Sequence, residues 1–327
     1  MAPPTAVVAT PPVVHPVNHK GVKHLLESGI RTLPPAYIAP QDDTTVTQPL
    51  ITNPTSFPII DISALDDPNG RTAVVNAIIS ACTNGGYFLV TNHGIKQSTM
   101  GDLLKAVETF FDLPLDEKMK YASDEDMAPV RYGSSLNTNE PQPHHFWRDY
   151  LRHFGRPVIA ESCHLWPSTP SNYTELAKEF LETSWEISMK LAGALSEGMG
   201  KEKNYIEGTL GEGLQTISCN YYPPCPQPEL AIGVGAHTDQ GGISILMDNH
   251  VDGLQMKHEG KWISVPHVPG ALVVNLGDYL EEVSEGKYKA AEHRVMVNDV
   301  KGRISVAVGN GREIKHYGCG HLVLRFV

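Results

Sequence analysis

The sequence predicts an α+β fold, with a helix-rich N-terminal half and a β-rich C-terminal half. Apolar residues recur at helical spacing over residues 71–83, 98–111 and 171–199. After Gly211, short runs of β-type residues are separated by Gly, Pro, Asn and Asp, which is typical of an all-β sandwich or barrel. A length of 327 residues and a hydrophobic fraction of 41% allow a sizeable core.

Local signals predict the N-terminal elements in chain order. Residues 1–19 are rich in Pro, Val, Ala and Thr and predict disorder, whereas residues 20–30 predict a short helix that ends at Gly29. Residues 40–55 are polar and predict a linker, so we expect the folded body to begin near Phe57. Beyond it we predict a strand at 57–62, a helix at 71–83, a buried strand at 87–90, a helix at 98–111 and a long helix at 171–199.

The C-terminal half contains a series of strand-like runs bounded by turn residues. Since strand signals occur in both halves, we expect one intertwined unit rather than two independent domains. The predicted division is a flexible segment with a short helix at 1–55, an N-terminal region at 56–170, and a helix plus β core at 171–327. The predicted C-terminal strands are 214–222, 243–247, 254–258, 262–265, 271–276, 293–297 and 303–308.

Charge and cysteine content restrict the class of protein and its partners. A formal net charge of −11 argues against nucleic acid or an anionic membrane as the main partner. No apolar run is long enough to span a bilayer, and no signal peptide is recognisable. The five cysteines form no Cys-x-x-Cys pair, which indicates free thiols in a reducing compartment. We therefore expect a cytoplasmic protein, monomeric, that acts on a small molecule.

Three residues in the β-rich half are candidate metal ligands. His237 and Asp239 are two residues apart, so in a strand both side chains lie on one face, and His293 opens a later strand-like run. Two imidazoles and one carboxylate can occupy one face of a metal and leave the other open, as in non-haem Fe(II) oxygenases. His-x-Asp alone is a common spacing, so the prediction depends on the residues that accompany it.

Four further residues form a candidate anion site. Arg303 and Ser305 share a face of a predicted apolar strand, where a buried guanidinium needs an anion and a hydroxyl adds a donor. Tyr222 and Asn220 lie at the end of another predicted strand, and both are able to reach the same anion. The alternative interpretation of Tyr222 is an aromatic side chain that packs in the core at the end of a strand. The alternative interpretation of Arg303 and Ser305 is a surface arginine beside a serine without a specific role.

These elements together resemble the plant 2-oxoglutarate- and Fe(II)-dependent dioxygenases. The resemblance covers about residues 20–308 and implies a double-stranded β-helix (jelly roll) core with N-terminal helices packed on it. His93 also falls within a family motif, Asn92-His93-Gly94, and we interpret it as structural. The resembling stretches are 28–38, 57–63, 86–95, 220–225, 237–242, 277–281 and 292–294.

The resemblance also implies an activity and a set of roles. His237, Asp239 and His293 are expected to bind Fe(II), and Arg303 and Ser305 to hold the distal carboxylate of 2-oxoglutarate, with help from Tyr222 and Asn220. The expected reaction is oxidative decarboxylation of 2-oxoglutarate by O2 to succinate and CO2, coupled to attack on a substrate C–H bond. Ascorbate is expected as a reductant.

Two further stretches, 131–137 and 147–152, resemble the branch that contains flavone synthase I and salicylate hydroxylases. Tyr132 and Phe146 are the candidate substrate-binding residues, although core packing explains either, and Trp147 is expected to pack. The predicted role lies in flavonoid biosynthesis, a branch of plant specialised metabolism. The predicted reaction is C2–C3 desaturation of a flavanone to a flavone, or 2-hydroxylation.

Other functions stay open at this level. Hydroxylation of salicylate or another small phenolic is the first alternative, and gibberellin-type or alkaloid substrates follow. A catalytically inactive jelly-roll protein that binds a small molecule is the alternative from a different class. One departure from the family is the stretch Gly309-Asn310-Gly311, where a bulky aromatic residue is usual. We expect a less covered pocket mouth, or a different lid formed by residues 312–327.

Overall fold

Two β-sheets lie against each other in the computed structural model, which describes residues 20–40, 57–125, 127–135, 144–157 and 159–312. The larger sheet has the strand order β1-β2-β10-β7-β12-β5-β4-β3 and the smaller one β6-β11-β8-β9. Only the β1–β2 pair is parallel among the described strand pairs. The strands are β1 Ile59–Asp61, β2 Tyr87–Thr91, β3 Val130–Ser134, β4 Asp149–Phe154, β5 Leu214–Tyr222, β6 Val234–His237, β7 Ile243–Asp248, β8 Leu254–His258, β9 Lys261–Ser264, β10 Leu272–Leu276, β11 His293–Val295 and β12 Arg303–Gly311.

Helices cover the outer face of the larger sheet. The three long helices, α2 (Arg71–Asn84), α3 (Gln97–Asp112) and α6 (Tyr173–Gly198), share one apolar core with residues of strands β2, β5, β7, β10 and β12. The α3 helix buries Leu103, Val107 and Phe110, which recur at helical spacing and are each 0% exposed. The helices are α1 Gly21–Glu27, α2 Arg71–Asn84, α3 Gln97–Asp112, α4 Leu115–Met119, α5 Ile159–Ser162, α6 Tyr173–Gly198, α7 Tyr205–Leu210 and α8 Asp278–Val283.

The inner face of the larger sheet packs against the smaller sheet and carries most of the polar side chains. A second apolar cluster, with Leu89 and Val273 from the larger sheet and Val234 and Met256 from the smaller, closes part of this interior. The strand register places Ser305 opposite Asn220, and their side chains point inward. The interior between the two sheets is therefore partly apolar and partly polar, and the polar part positions the site described below.

The architecture agrees with the predicted jelly-roll core and its packed helices. The strand prediction 214–222 matches β5 residue for residue, and the predicted helices agree with α1, α2, α3 and α6 to within three residues at each end. Strands β3, β4 and β6 were not predicted. Every residue of β3 and β4 is buried, so the alternation of polar and apolar residues that marks a half-buried strand is missing there.

The described part of the N-terminal segment, residues 20–40, packs on the folded body. Backbone N–H groups of Val22 and Lys23 donate to the buried carboxylate of Asp149 at 2.8 and 3.0 Å. The ring of Tyr37 contacts the ring of Trp147 edge-on at 5.3 Å. Residues 1–19, 41–56 and 313–327, which carry the predicted disorder, the linker and the lid, lie outside the described residues. The division at residues 55 and 170 stays a prediction.

The cysteines agree with the expectation of free thiols as far as the structure describes them. Cys82, Cys163, Cys219 and Cys225 form no disulfide bond among the described residues, and Cys319 lies outside them.

Candidate metal centre

His237, Asp239 and His293 meet at one point of the interior. Strand β6 ends at His237, β11 begins at His293, and the antiparallel register pairs these two residues directly. Asp239 lies two residues beyond the end of β6, so the expectation that His237 and Asp239 share a strand face is wrong. Its position comes instead from the loop, where its carbonyl oxygen accepts the N–H of Asp278 at 2.8 Å.

Gly277 allows that loop to approach so closely. A Cβ atom at this position would lie 2.5 Å from the carbonyl oxygen of Asp239 and 2.3 Å from that of Gly241. Any larger residue would therefore push the loop that carries Asp239 away from β10 and α8.

The three side chains can bind one ion together. Each offers a ligand atom, and these atoms lie within 4.8 Å of one another. The Nε2 atoms of His237 and His293 are both 3.8 Å from Oδ1 of Asp239, and the two ring centroids are 4.1 Å apart. Three ligand atoms this close together can bind one ion at a common position, as the facial arrangement requires.

Backbone carbonyls orient both imidazoles. Nδ1 of His237 donates to the carbonyl oxygen of Gly235 at 2.8 Å, and Nδ1 of His293 donates to that of Ala291 at 2.8 Å. Each Nε2 is thereby left with its lone pair directed at the common position. Nε2 of His237 is buried and has no hydrogen-bond partner among the described residues. A metal ion bound to this nitrogen would supply the missing partner for its lone pair.

Two side chains hold the carboxylate in the same way. Oδ2 of Asp239 accepts hydrogen bonds from the hydroxyl of Ser244 and, at 2.7 Å, from Nδ2 of Asn275. Oδ1 is left for a ligand bond. Both residues carry a sequence signal, since each is a polar residue between apolar neighbours in a strand and needs a partner when buried.

The protonation states favour metal binding. Burial, and then the neighbouring imidazole of His293, lowers the pKa of His237 to about 3, so its ring is neutral at physiological pH. Burial raises the pKa of Asp239, but His293, His237 and the hydrogen bonds from Ser244 and Asn275 outweigh it and lower the pKa below its ordinary value. A neutral imidazole and an ionised carboxylate are the forms that bind a metal.

The four residues of the predicted anion site lie in two adjacent rows across β5 and β12. The register pairs Arg303 with Tyr222 and Ser305 with Asn220, so all four side chains share the inner face. Arg303 and Ser305 are each 1% exposed. Nε and Nη1 of Arg303, Oγ of Ser305 and Oδ1 of Asn220 are buried without a hydrogen-bond partner in the described part of the chain.

Arg303 already has one anionic partner that the sequence did not reveal. Its Nη2 donates to Oδ2 of Asp248, at the end of β7, at a distance of 2.8 Å. The expectation that Arg303 lacks an anion of its own was therefore wrong in part. Two of its nitrogens and the Ser305 hydroxyl still need acceptors, and a carboxylate supplies two oxygen acceptors in the geometry of a guanidinium.

The two candidate substrate residues lie on opposite sides of the larger sheet. Tyr132 pairs with Leu151 on the helix-covered face, is 0% exposed and contacts the ring of Phe110. This position contradicts the expected contact with substrate, because the sheet lies between Tyr132 and the inner face. Phe146 is half-buried, and a Cβ atom on Gly235 would lie 3.1 Å from its ring. Because Gly235 orients His237, Phe146 lies beside the candidate metal centre.

His93 and Trp147 have the structural roles expected of them. Nε2 of His93 donates to the carbonyl oxygen of Gly270 at 2.8 Å, and its Nδ1 accepts the N–H of Ile95 at 3.2 Å. Trp147 is 0% exposed and donates its indole N–H to the carbonyl oxygen of Pro223 at 3.0 Å.

Known proteins share this fold and this sequence pattern. The 2OG-Fe(II) oxygenase superfamily matches residues 214–310, and the N-terminal region of the non-haem dioxygenases in morphine synthesis matches residues 57–170. Flavanone 3-dioxygenase 2 of Oryza sativa subsp. japonica is 39% identical over 277 residues, which are 84% of this chain and 79% of that protein. The chain belongs to the 2-oxoglutarate- and Fe(II)-dependent oxygenase superfamily.

Two further similarities agree with this assignment. Leucoanthocyanidin dioxygenase of Malus domestica is 38% identical over 88% of this chain and 83% of its own length. The crystal structure of JOX2 in complex with 2OG, Fe and JA has a TM-score of 0.81 at 33% identity, over 90% of this chain and 83% of that chain. This oxygenase is thus an oxidoreductase that uses Fe(II) and 2-oxoglutarate.

Among the described residues, every helix is too short or too polar to span a bilayer. The monomeric state and the cytoplasmic location stay predictions.

Proposed function

We propose that this oxygenase acts on a flavonoid and converts a flavanone to a flavone by C2–C3 desaturation, or hydroxylates it at C2. The observation that carries the proposal is the presence of two groups of buried polar atoms that lack partners among the described residues, one on the smaller sheet and one on the larger sheet. One lies at the position faced by His237, Asp239 and His293, and the other lies at Arg303 and Ser305. The similarity to a flavanone 3-dioxygenase and a leucoanthocyanidin dioxygenase supports a flavonoid as the substrate.

The proposed roles follow from the contacts described above. His237, Asp239 and His293 hold Fe(II) through Nε2, Oδ1 and Nε2. Arg303 and Ser305 bind the distal carboxylate of 2-oxoglutarate. Fe(II) together with 2-oxoglutarate and O2 supplies the oxidising chemistry that removes hydrogen from a C–H bond. The chain itself contributes neutral imidazoles, a fixed carboxylate and a buried cation, and it holds the reacting groups in place.

Asn220 and Tyr222 complete the proposed co-substrate site. Asn220 is opposite Ser305, and the guanidinium carbon of Arg303 lies 5.5 Å from the centre of the Tyr222 ring. The ring supports the guanidinium through a cation–π contact and limits its orientation. We propose that the amide of Asn220 and the hydroxyl of Tyr222 give the site further hydrogen bonds to the co-substrate.

Phe146 is the proposed contact for an aromatic substrate. Its ring packs against the backbone of Gly235, whose carbonyl oxygen fixes His237, so a ring stacked on Phe146 lies close to the metal centre. Offset stacking of aromatic rings adds about 0.5–1.5 kcal/mol beyond the buried area. Phe146→Leu should therefore raise KM for the flavanone while KM for 2-oxoglutarate is unchanged.

The product formed from naringenin, a common flavanone, tests this proposal. Purified protein is incubated with Fe(II), 2-oxoglutarate, ascorbate and naringenin, and the product is analysed by mass spectrometry. Loss of two hydrogens identifies desaturation, and gain of one oxygen identifies hydroxylation. Unchanged naringenin in a preparation that turns over another phenolic would refute the flavanone assignment.

A second candidate, hydroxylation of an acidic phenolic such as salicylate, is favoured by Arg148. This residue is 4% exposed, and its guanidinium carbon lies 5.1 Å from the centre of the Tyr150 ring on the inner face. Its Nη2 donates to the carbonyl oxygen of Ser135 at 2.8 Å, its Nε has no partner, and no carboxylate of the described residues pairs with it. A buried guanidinium without an anion favours an anionic substrate.

A substrate panel that matches acids with their neutral analogues separates the two candidates. If Arg148 binds a substrate carboxylate, Arg148→Gln should reduce kcat/KM for the acid and leave that for the neutral analogue unchanged. An equal effect on both would remove the support for the acidic substrate. Substrate-dependent release of succinate distinguishes either enzyme from an inactive binding protein.

We also propose the division into a segment at 1–55, an N-terminal region at 56–170 and a catalytic core at 171–327 that fold as one unit. The larger sheet supports this, because it contains strands β1 to β4 as well as β5, β7, β10 and β12. A single unfolding transition by calorimetry is expected. Size-exclusion chromatography with light scattering tests the predicted monomer in the same preparation.

A further inference from the structure

A second cluster of metal-binding side chains lies at the rim of the larger sheet. Asp248 is the last residue of β7, His250 follows in the turn, and His267 belongs to the loop between β9 and β10. Each offers a ligand atom, and these atoms lie within 4.8 Å of one another. We name Asp248, His250 and His267 the rim cluster. It shares no residue with the centre formed by His237, Asp239 and His293.

Local hydrogen bonds arrange the rim cluster. The backbone N–H of His250 donates to Oδ1 of Asp248 at 2.9 Å, and His250 has φ 56°, which turns the chain back on itself there. The rings of His250 and His267 are 5.4 Å apart and nearly perpendicular. Nδ1 of His267 lies 3.8 Å from Oδ1 of Asp248.

Asp252 gives the rim cluster the outer carboxylate that metal-binding histidines usually have. Nε2 of His267 lies 3.0 Å from Oδ1 of Asp252, so this nitrogen donates and fixes the tautomer. The lone pair on Nδ1 is then directed toward Asp248. A carboxylate bound to the far nitrogen both orients a histidine and makes it a better ligand.

We propose that the rim cluster binds a divalent transition-metal ion of the zinc class. Two imidazoles and one carboxylate are the nitrogen and oxygen donors that Zn²⁺ accepts, and they leave a fourth position open. All three residues also line a cavity of about 190 Å³, with Met100 and Val268 among its apolar walls, so an exogenous ligand or water has room at that position. The two negative charges of Asp248 and Asp252 exceed the single positive charge of Arg303. The net local charge is therefore negative, which favours a cation.

Asp248 links the rim cluster to the co-substrate site. Its Oδ2 accepts the 2.8 Å hydrogen bond from Arg303, while its Oδ1 faces His267. A cation on Oδ1 draws negative charge away from Arg303 and adds positive charge beside it. Both effects favour an anion bound to Arg303. The metal should therefore increase the affinity for 2-oxoglutarate, and this part rests on the proposed role of Arg303.

Metal stoichiometry tests the site directly. Equilibrium dialysis of metal-free protein against Zn²⁺ should show that His250→Asn/His267→Ala binds one equivalent fewer than the unmodified chain. Asparagine tolerates the positive φ of His250 better than alanine does. His164→Ala, which removes an exposed histidine outside both clusters, is the matched control and should bind as many equivalents as the unmodified chain. Equal stoichiometry in the double variant, with its melting temperature retained, would overturn the proposal.

The affinity for 2-oxoglutarate tests the link to Arg303. The affinity for 2-oxoglutarate is measured by titration calorimetry, first with one equivalent of Zn²⁺ and then with saturating Zn²⁺. The added metal should tighten 2-oxoglutarate binding about 5-fold in the unmodified chain. It should have no such effect in the double variant. No difference between the two proteins, or weaker binding, would refute the link. If 2-oxoglutarate binds neither protein, the role of Arg303 fails while the zinc stoichiometry still decides the site.

Discussion

At the start of β12, the two faces of the larger sheet are equally buried but chemically different. On β12, Ile304, Val306 and Val308 point to the helices, and Arg303 and Ser305 point to the interior, and all five are at most 2% exposed. The helix-covered face is mostly apolar, and its burial stabilises the fold. The inner face contains buried donors and acceptors without partners in the described residues. Burial alone does not separate core from site here. Single buried polar atoms without a partner, such as the Tyr132 hydroxyl, also occur on the helix side, whereas the inner face brings several of them together at Arg303, Ser305 and Asn220.

Two buried histidines give the largest contrast between the helix-covered core and the interior between the two sheets. His153 on β4 is 0% exposed and, like His237, has its pKa lowered by burial to about 3. Its ring, however, accepts or donates a 2.9 Å hydrogen bond with the Tyr173 hydroxyl and stacks on Trp166 at 3.9 Å. We expect His237→Ala to lower turnover more than about 100-fold, because the loss of a residue that only hydrogen-bonds to a metal ligand already costs about 10- to 100-fold. The variant should keep its melting temperature.

His153→Ala is the control for that variant. Loss of the stacking and hydrogen-bonding contacts should lower the free energy of unfolding by about 3 kcal/mol. Turnover per folded molecule should be unchanged. Steady-state kinetics and thermal melts on both proteins check the contrast, and an active His237→Ala protein would refute the metal centre.

Arg303 is expected to give the next largest effect. Arg303→Ala removes a buried cation and should cost about 3 kcal/mol of 2-oxoglutarate binding, or roughly 100-fold in affinity. Arg303→Lys keeps the charge but not the two-pronged geometry, so it should recover only part of the loss. Binding is measured by calorimetry. A 2-oxoglutarate affinity equal to that of the unmodified chain in the alanine variant would contradict the assigned anchor.

Two buried asparagines sharpen the comparison further. Asn275 faces the interior and donates to Asp239, whereas Asn310 faces the helices and donates to Ser188 and to the carbonyl oxygen of Ile243. We expect Asn275→Ala to weaken Fe(II) binding about 10- to 100-fold. Asn310→Ala should reduce stability and leave Fe(II) binding unchanged. The same metal affinity in both variants would mean that Asn275 does not position the carboxylate.

The neighbouring residues Ser305 and Val306 on β12 are expected to give the smallest effects, and they form the most closely matched pair of variants. Ser305→Ala removes one hydrogen bond and should raise KM for 2-oxoglutarate about 5-fold, equivalent to about 1 kcal/mol. Val306→Ala should instead cost about 2 kcal/mol of folding stability and leave that KM unchanged. Kinetics and denaturant unfolding of the pair check this. A shift of KM in the valine variant alone would reverse the assignment of the two faces.

The same difference between the faces explains what the sequence could predict. The alternation of side chains along a strand predicted that Arg303 and Ser305 share a face. This prediction was possible because β12 is a long strand, and side chains alternate in direction whatever packs on either face of the sheet. Alternation does not say which face is the site. Tyr132 lies in a strand in which all five residues are buried, so no pattern distinguished the helix side from the interior.

Contacts between residues far apart in the chain could not be predicted from the sequence either. Asp239 reaches His293 through a loop held by Gly277 and Asp278, and Asp248 reaches Arg303 from a neighbouring strand 55 residues away. Such contacts depend on register and loop geometry, which no local spacing reports. The motif resemblance supplied the roles of His237, Asp239 and His293, and the structure added the side chains that orient them.

We propose that the interior between the two sheets couples 2-oxoglutarate turnover to oxidation of a flavanone. The most direct measurement is the ratio of succinate to oxidised naringenin, determined in one reaction with Fe(II), 2-oxoglutarate and O2. We expect about one succinate for each oxidised product, and neither in the His237→Ala protein. Naringenin-independent succinate release, or product formed without 2-oxoglutarate, would contradict it.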